Sequence, residues 1–446
     1  MCLHTNSAIG NMIKRPHYLQ QLIDSRHNGF TKIITGVLRC GKSYLLQMIY
    51  VDYLLSIGVP KENILVYEMD LATNYLLRDP LTLVERVLKD AEGKEDTYVI
   101  IDEIQNVIPI KNPAFTGGKH VIAAKGDKDA ITFVNAALEL SRRPNIDLYI
   151  TGSNSRMLSR DVQTDFRDKA TLINVRPLSF EECFDYLGGD HQTAFESFLK
   201  YGGMPLAIGK SDSSKESYLK ELFSVTYFKD ILDRYHFKRS EALSELASLL
   251  SSSVGSLLSV SKISDLYKAK GKGEIDDGTV NNYLAAFEDS FLLQEAKRYD
   301  VKGKRVIGST KKYYFIDPGL RNASNDFMFE DKGLVFENII YNELLYNGYE
   351  VAVGTYDSFS KNAEGITVRK SLEIDFIAKK GPRVLYVQCC QDLSSHDTYE
   401  REIKPYIALN DNIAKVLVVN KAMGQELDRN GITIIGATDF ILRYIK

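Results

Sequence analysis

The chain has 446 residues, of which 44% are hydrophobic and 26% charged, and its formal net charge at pH 7 is −3. These proportions are ordinary for globular proteins and exclude a largely disordered, collagen-like or coiled-coil chain. The length suggests about three domains. The near balance of charge disfavours a protein covered in nucleic acid, although a local basic patch is compatible with it.

Composition also bears on the compartment. The five cysteines are scattered and lack zinc-ligand spacing, so the sequence predicts neither a disulfide framework nor a structural zinc site. No apolar run approaches the roughly 20 residues that cross a bilayer, and the N-terminal segment lacks the apolar core of a secretory signal. We therefore expect a cytoplasmic protein without a membrane partner.

The first third of the chain alternates short apolar runs with amphipathic stretches. The runs predict buried parallel strands, at Lys32–Thr35, Ile64–Tyr67, Tyr98–Ile101, Leu148–Thr151 and Leu172–Val175. The stretches predict helices, at Ser43–Ser56, Leu81–Asp90 and Ala130–Arg142. This rhythm predicts an α/β domain built on a doubly wound parallel sheet, with a long loop or insertion at 106–129.

The rest of the chain changes character twice. Residues 177–235 read as helical, with a break at Tyr201–Pro205. Three helical patterns follow, at Ala242–Leu250, Lys262–Ala269 and Thr279–Leu292, and then two strand-like segments, Leu293–Tyr299 and Lys311–Ile316. Three helices and a hairpin outline a winged helix. After residue 330 we expect one helix, Gly333–Tyr346, and four strands, at Glu350–Gly354, Glu373–Ile377, Val384–Gln388 and Ala414–Val419.

The segment from Gly36 to Ser43 fits the phosphate-loop pattern G-x-x-x-x-G-K-[ST] in full. It follows a predicted strand and opens a predicted helix, as that loop requires. Main-chain N–H groups close around phosphate oxygens, Lys42 reaches the β- and γ-phosphates, and Ser43 binds Mg²⁺. The alternative is a Gly-rich turn with an incidental lysine. The residues expected to bind the cofactor are Gly36, Arg39, Cys40, Gly41, Lys42, Ser43 and Tyr44.

Two carboxylates follow the predicted strand Tyr98–Ile101. We expect Asp102 to lie beside the first strand and, with Ser43, to hold Mg²⁺. Glu103 can then activate the attacking water as a general base, which favours hydrolysis over transfer to a hydroxyl group. A solvated acidic strand end is the alternative. After Leu148–Thr151, Asn154 is the first choice and Ser153 the second for contacting the γ-phosphate, with ordinary loop capping as the competing interpretation.

Together these motifs resemble the prokaryotic AAA-type ATPases that carry a C-terminal domain of unknown function (DUF) 4143, over nearly the whole chain. The matching residues are Lys14-Arg15, Tyr18, Ile33–Gly36, Arg39–Ser43, Asp102–Gln105, Thr151–Ser155, Pro177–Phe180, Tyr201–Pro205, Lys229–Ile231, Arg234, Tyr313–Arg321, Glu337-Asn338 and Glu373–Phe376. The resemblance implies ATP as the nucleotide. It also implies an ATPase domain (1–175), a helical lid (176–238), a winged-helix-like region (239–320) and a degenerate domain similar to restriction-type nucleases (321–446).

The chain departs from this family at two places. Leu38 replaces an Arg in the phosphate loop, and Asp168-Lys169 replaces a Gly-Arg before the last strand of the first domain. If that Arg stabilises transition-state charge, Lys169 is a weaker substitute because it lacks the planar fork. Arg160 and Arg167 are the other candidates for this role.

The expected nuclease pattern is also incomplete. Glu337 and Asp375 can supply two carboxylates, but Gln388 stands where a second acid belongs and Cys390 where a lysine belongs. A neutral amide is a poor Mg²⁺ ligand. We therefore predict that the domain does not cut DNA, and we read Cys389-Cys390 as a buried apolar pair rather than a redox pair.

Basic residues are concentrated in the predicted wing. They are Lys297, Arg298, Lys302, Lys304, Arg305, Lys311 and Lys312, beside a candidate reading helix that begins at Thr279. Such a wing can grip phosphates, but Asp276, Asp277, Glu288 and Asp289 would repel a duplex. Two hypotheses stay open: an ATPase whose nucleotide state moves C-terminal domains on DNA (through 279–312) or on a protein, and a nucleotide-gated switch with little turnover. An oligomer is compatible with both.

Overall fold

The computed structural model describes residues 12–124, 126–152, 166, 169–237, 239–271, 275–328, 331–361, 367–409 and 411–446. Its contacts divide the chain into a first unit, which ends at Arg176, and a second unit, which begins at Pro177. No helix within the described ranges is long and apolar enough to cross a membrane.

The described part of the first unit contains a five-stranded parallel sheet in the order β2-β3-β4-β1-β5. The strands are β1 (Thr31–Thr35), β2 (Ile64–Glu68), β3 (Thr97–Asp102), β4 (Ile146–Thr151) and β5 (Ala170–Asn174). The helices are α1 (Pro16–Ser25), α2 (Lys42–Tyr44), α3 (Val51–Ser56), α4 (Pro80–Asp90) and α5 (Phe133–Leu140), and a π-helical segment, Leu45–Tyr50, joins α2 to α3.

The three central strands are buried at every position, as expected when helices cover both faces of a parallel sheet. On one face, apolar side chains of α4 and α5 pack against Val99, Ile101, Leu148 and Ile150. The predicted strand positions are therefore confirmed to within two residues at each end. The expectation that Asp102 lies beside the first strand is wrong, because β4 lies between β1 and β3.

The described part of the second unit contains eleven α-helices, the last of which continues into a short π-helical turn. They are α6 (Phe180–Leu187), α7 (His191–Tyr201), α8 (Asp212–Glu221), α9 (Lys229–Tyr235), α10 (Ser240–Ser252), α11 (Val260–Ala269), α12 (Asp277–Asp289), α13 (Pro318–Ala323), α14 (Lys332–Tyr346) and α15 (His396–Ile407), with α16 (Ala437–Asp439) continuing into the turn Phe440–Tyr444. A further π-helical segment, Leu222–Phe228, joins α8 to α9.

An eight-stranded mixed sheet runs through the described part of the second unit in the order β12-β13-β11-β10-β9-β8-β6-β7. Its strands are β6 (Leu293–Asp300), β7 (Arg305–Phe315), β8 (Glu350–Lys361), β9 (Thr367–Lys380), β10 (Arg383–Cys390), β11 (Ala414–Val419), β12 (Glu426–Leu427) and β13 (Thr433–Gly436).

The structure differs from the expected division of this half into lid, winged-helix-like region and C-terminal domain. The hairpin β6–β7 does not stand apart, because β6 pairs in parallel with β8. The lid segment is tied to later residues as well: the Glu343 carboxylate accepts a hydrogen bond from the Phe180 N–H at 2.7 Å. These long-range pairings link the three predicted segments within one compact unit, Pro177–Lys446.

Two motifs from the sequence meet at Asp317. Its buried carboxylate accepts hydrogen bonds from the N–H groups of Gly203 (2.7 Å) and Leu320 (3.0 Å), while burial raises its pKa to about 6. A Cβ at Gly319 would overlap the carbonyl oxygen of Tyr201. The motifs at Tyr201–Pro205 and 313–321 therefore join α7 to α13. The close contacts between them account for the glycines and the aspartate at these positions.

Candidate nucleotide site

The phosphate loop connects β1 to α2 through backbone angles that favour glycine. Gly36 has φ 141° and Gly41 has φ 97°, and Arg39 adopts φ 61° between them. A side chain at Gly36 would also overlap the carbonyl oxygen of Val175. The two glycines of the sequence pattern are thus required by conformation at both positions and by space at the first.

The Lys42 side chain lies inside the loop. Its ammonium donates hydrogen bonds to the carbonyl oxygens of Gly36 at 3.0 Å and Val37 at 3.1 Å, and the residue is only 4% exposed. A buried ammonium held by two carbonyl dipoles is a fixed positive charge at the amino end of α2, where the helix dipole also favours an anion.

Side-chain hydrogen bonds fix the phosphate loop to the residues that follow β5. Arg15 donates from its guanidinium to the carbonyl oxygens of Cys40 at 3.1 Å and Arg176 at 2.7 Å. The Cys40 thiol donates to the carbonyl oxygen of Val175 at 3.2 Å. Cys40 therefore contributes its backbone to the loop, while its side chain anchors the loop to the sheet.

Asp102 ends β3 and is fixed by two side-chain donors. The Thr151 hydroxyl, at the end of β4, donates to Oδ1 of Asp102, and the Gln47 amide donates to Oδ2 at 3.1 Å. Thr151 lies opposite Ile34 of β1, so it bridges the loop strand and the acidic strand. Gln47 follows Lys42 and Ser43 along the same continuous helix, which links that helix directly to the carboxylate.

Glu103 follows with a left-handed backbone, φ 53° and ψ 48°. Its N–H donates to the Thr151 hydroxyl oxygen at 3.1 Å, and its carboxylate accepts a hydrogen bond from the Gln105 amide. Glu68, opposite Asp102 on β2, is a further acid at this edge. Burial and the charges of Asp102 and Asp70 raise the pKa of Glu68.

The remaining predicted site residues divide into three groups. Ser43 is half-buried, and Arg39 and Tyr44 are exposed at the loop and helix start. Ser153, Asn154, Arg160 and Arg167 lie outside the described residues. Lys169 lies at the opposite edge of the sheet, where its carbonyl accepts from the Thr31 N–H at 3.1 Å. The five residues of β1 separate that edge from the loop by about 16 Å, so Lys169 does not reach the loop of its own chain.

Sequence reasoning did not assign roles to Thr151, Gln47, Gln105 or Arg15. Thr151 had only a partial pattern, because it ends a predicted strand, as Asp102 does, but the sequence does not show that the two strands are neighbours. Gln47 had a weaker one, four residues after Ser43 and therefore on the same side of the helix. The contacts of Gln105 and Arg15 depend on strand order and on the paths of loops, so the sequence alone does not predict them.

A second cluster of charged side chains lies in the second unit. Lys312 of β7 contacts two carboxylates, Glu373 at 2.6 Å and Glu337 at 3.6 Å, and the Tyr314 hydroxyl donates to Glu337 at 2.6 Å. Asp375 accepts hydrogen bonds from the Cys389 N–H at 2.8 Å and the Gln388 amide at 3.2 Å. Gln388, expected in the place of an acid, therefore serves as a donor to an acid.

One buried lysine faces three carboxylates in this cluster. Burial acts to lower the pKa of Lys312, but the charges of Glu337, Glu373 and Asp375 outweigh it and raise that pKa. Burial and the charge of Glu337 raise the pKa of Asp375 well above its ordinary value. Within the described ranges, no group of three His, Cys, Asp or Glu residues is placed to hold a metal ion. Sequence reasoning counted Lys312 as part of a basic wing, but it is a buried counterion.

The expected DNA-binding segment 279–312 is also less basic at its surface than its sequence suggests. Lys311 pairs with Glu295 at 2.6 Å, and Arg298 donates to the Thr310 hydroxyl. The amino end of α12 is capped by Asp276, whose carboxylate accepts from the Thr279 N–H at 2.8 Å. These hydrogen bonds lower the pKa of Asp276 and keep a negative charge where a reading helix would approach phosphates.

Comparison with known proteins agrees with the geometry of the first unit. Residues 28–184 match the family model of an AAA domain. Residues 192–330 match a domain of unknown function, DUF8612, rather than the expected DUF4143. Among solved structures, the Aeropyrum pernix ORC2 protein in its ADP form aligns at 9% identity and TM-score 0.34, over 76% of this chain and 96% of that one.

The strand order, the glycine-rich loop and the AAA match define the class: the first unit is an AAA-type P-loop domain, and this supports nucleotide binding. The chain is 32% identical over 439 residues to an uncharacterized protein of Haemophilus influenzae, covering 97% of this chain and 99% of the relative. It belongs to the same family as that protein. A Methanocaldococcus jannaschii relative, also uncharacterized, is 26% identical over 84% of this chain and 77% of its own length.

Proposed function

We propose that the chain binds ATP with Mg²⁺ in its first unit and hydrolyses it. The observation that carries the proposal is the hydrogen bond from Gln47 to Asp102, because it joins the helix that begins with Lys42 and Ser43 to the acidic end of β3. The loop proposed to bind phosphates and the carboxylate proposed to hold the metal would then act together, as nucleotide hydrolysis requires.

Each residue has a role that follows from its chemistry. The main-chain N–H groups from Gly36 to Lys42 would surround the phosphates, and the Lys42 ammonium would exchange its two carbonyl partners for phosphate oxygens. Ser43 and Asp102 supply hydroxyl and carboxylate oxygens, which are the ligands Mg²⁺ prefers. When bound, Mg²⁺ would neutralise charge on the β- and γ-phosphates. Asn154 stays the proposed contact to the γ-phosphate.

Glu103 is the proposed general base. It has a left-handed backbone directly after the end of β3, and its N–H donates to the Thr151 hydroxyl oxygen. The Gln105 amide donates to its carboxylate, so a shift of Gln105 would free that oxygen to accept a proton from an attacking water. Nucleotide state would then move the second unit, including its winged-helix-like hairpin, on DNA or on a protein.

Steady-state ATP hydrolysis by purified protein tests the proposal. We expect turnover that depends on Mg²⁺ and falls at least about a hundredfold in Lys42→Ala and Glu103→Gln. Lys89→Ala and Glu92→Gln are matched controls, since both residues are exposed and lie at or near the end of α4, away from the loop. Turnover that persists in Lys42→Ala would show that another site hydrolyses ATP.

The second hypothesis, a nucleotide-gated switch with little turnover, is favoured by one contact. The Gln105 amide donates to the Glu103 carboxylate, so this carboxylate oxygen must exchange its partner for water before it can act as a general base. Tight ATP binding with negligible turnover in the wild type, and faster turnover in Gln105→Ala, would support the switch. Proteins or DNA that co-purify with Glu103→Gln would identify the partner under either hypothesis.

A further inference from the structure

We propose that the second unit binds duplex DNA through the ends of two adjacent β-hairpins. One is the turn 301–304, which connects β6 to β7, and the other is the outer part of the β8–β9 hairpin. This inference rests on the proposed function only for its biological use, because the surface itself is independent of the nucleotide site. We call the residues 356–361 and 367–372 the ribbon arm.

The ribbon arm is a two-stranded projection from the large sheet. Within the described residues, β9 is the only strand that pairs with β8 beyond Thr355, from Tyr356 opposite Leu372 to Lys361 opposite Thr367. The neighbouring pairings end earlier: β6 reaches only Thr355 on β8, and β10 reaches only Phe376 on β9. Five residue pairs beyond the last buried pair extend about 16 Å.

The turn 301–304 is fixed beside the base of the arm. The Val301 N–H donates to the carbonyl oxygen of Thr355 at 2.9 Å, and the Lys302 ammonium lies 4.8 Å from the centre of the Tyr356 ring. Tyr356 and Leu372 are buried in the core of the unit. The two projections therefore share one rigid base, and their exposed ends form a single surface.

That surface is cationic in a chain whose net charge is negative. Its segments 300–306, 357–359 and 367–371 carry five Lys and Arg against two Asp. Each of the two acids is paired with an arginine of the surface: Asp300 with Arg305 at 3.7 Å and Asp357 with Arg369 at 2.7 Å. Within the described residues, no carboxylate lies within ion-pair distance of the exposed Lys304 or Lys370, so their charges are available to phosphates.

Exposed apolar side chains stand among these cations. Phe359 is 66% exposed, Val306 is 65% exposed and Val368 is 44% exposed. An isolated exposed apolar residue needs no explanation, but three on two adjoining ribbons, surrounded by lysines and arginines, fit a surface that meets both bases and phosphates. A strand-borne aromatic ring can make apolar contact with thymine methyl groups at the base edges of the major groove.

Duplex DNA matches this shape better than the expected reading helix does. A two-stranded ribbon fits a major groove that is about 12 Å wide and 8.5 Å deep, and the arm is longer than that depth. The basic turn beside it can then contact the backbone that borders the groove. The amino end of α12, by contrast, holds the charged Asp276.

The test measures fluorescence anisotropy of a labelled duplex of about 20 base pairs with the full chain at several KCl concentrations between about 50 and 200 mM. We expect saturable binding that weakens steeply with salt. Lys304→Glu/Lys370→Glu should bind at least about tenfold more weakly, with a shallower salt dependence. Phe359→Ala should bind more weakly at unchanged salt dependence, because it carries no charge.

The matched control is Lys404→Glu/Lys421→Glu, which reverses the same number of exposed lysines elsewhere in the unit; thermal unfolding verifies that each variant folds. Absence of duplex binding by the wild type, equal binding by the Lys304/Lys370 variant and its control, or a preference for single strands would each overturn the inference. ATP hydrolysis measured in parallel separates the two proposals: turnover without DNA binding refutes only this surface, and DNA binding without turnover refutes only the ATPase.

Discussion

The Thr151 hydroxyl hydrogen-bonds to both Asp102 and Glu103 of the nucleotide site. Removing this one hydroxyl therefore tests the positions of both acidic residues. In Thr151→Val the shape of the side chain is kept while the oxygen is lost. Oδ1 of Asp102 then loses its donor and the Glu103 N–H loses its acceptor. The residue is fully buried at the end of β4, which limits replacement of either bond by water.

The magnitude follows from the two bonds. A hydrogen bond to a charged group contributes about 1.5–3 kcal/mol, and an unsatisfied buried N–H costs about 1–3 kcal/mol. We therefore expect Thr151→Val to lower the free energy of unfolding of the first unit by about 3 kcal/mol, measured by urea denaturation. Thr151→Ser keeps the oxygen and should lose only about 1 kcal/mol, from the missing methyl group.

Function supplies a readout that a loss of stability alone would not give. Because Thr151 orients the carboxylate proposed to order Mg²⁺, the Mg²⁺ concentration for half-maximal ATP hydrolysis should rise roughly tenfold in Thr151→Val and recover in Thr151→Ser. ATP hydrolysis measured without urea, at a temperature well below the midpoint of thermal unfolding, separates this effect from a loss of folded protein. A valine variant with wild-type stability and wild-type Mg²⁺ dependence would refute the assigned role of Thr151.

Three further predictions concern buried charge. Burial raises the pKa of Glu343 from 4.5 to about 7, so between these pH values the folded state retains a proton that the unfolded state releases. The free energy of unfolding is therefore highest below pH 4.5 and falls by up to about 3 kcal/mol as pH rises through 7. Glu343→Gln should therefore be more stable than the wild type at pH 8 and similar near pH 4.5, as measured by chemical denaturation. Lys32 and Asp147 form a buried ion pair inside the first sheet. Lys32→Met should cost about 3–5 kcal/mol. The double change Lys32→Met/Asp147→Asn should recover most of it, because it removes the unpaired charge and keeps an acceptor for the His27 N–H and the Tyr149 hydroxyl; chemical denaturation measures both variants. Purified protein with Mg²⁺ or Mn²⁺ should leave duplex DNA intact, and cleavage abolished by Asp375→Ala would show the nuclease prediction to be wrong.

The local features of the first unit were predictable because they depend on neighbours in sequence. Apolar runs located β1 to β5, and the glycine spacing located a loop whose positive φ angles at Gly36 and Gly41 only that residue adopts easily. The position of β4 between β1 and β3 was not predictable, because strand order is set by contacts between distant segments. Thr151 was missed for that reason.

The second unit shows the same limit more strongly. The hairpin β6–β7 was expected, but its parallel pairing with β8 was not, since nothing local to either strand specifies it. Lys312 looked like one more exposed wing lysine until β9 brought Glu373 beside it. The outer ribbon arm was missed because polar and cationic residues lie on both of its faces, beside only two exposed apolar ones, Phe359 and Val368, and so the arm lacks the alternation that marks a half-buried strand.

Equilibrium dialysis of labelled ATP with Mg²⁺ tests the central claim most directly. The wild type should show one saturable site per chain, and Lys42→Ala should bind at least about tenfold more weakly because the fixed ammonium inside the loop is gone. The matched Lys89→Ala variant should bind as the wild type does. No measurable affinity of the wild type for any purine triphosphate would contradict the account.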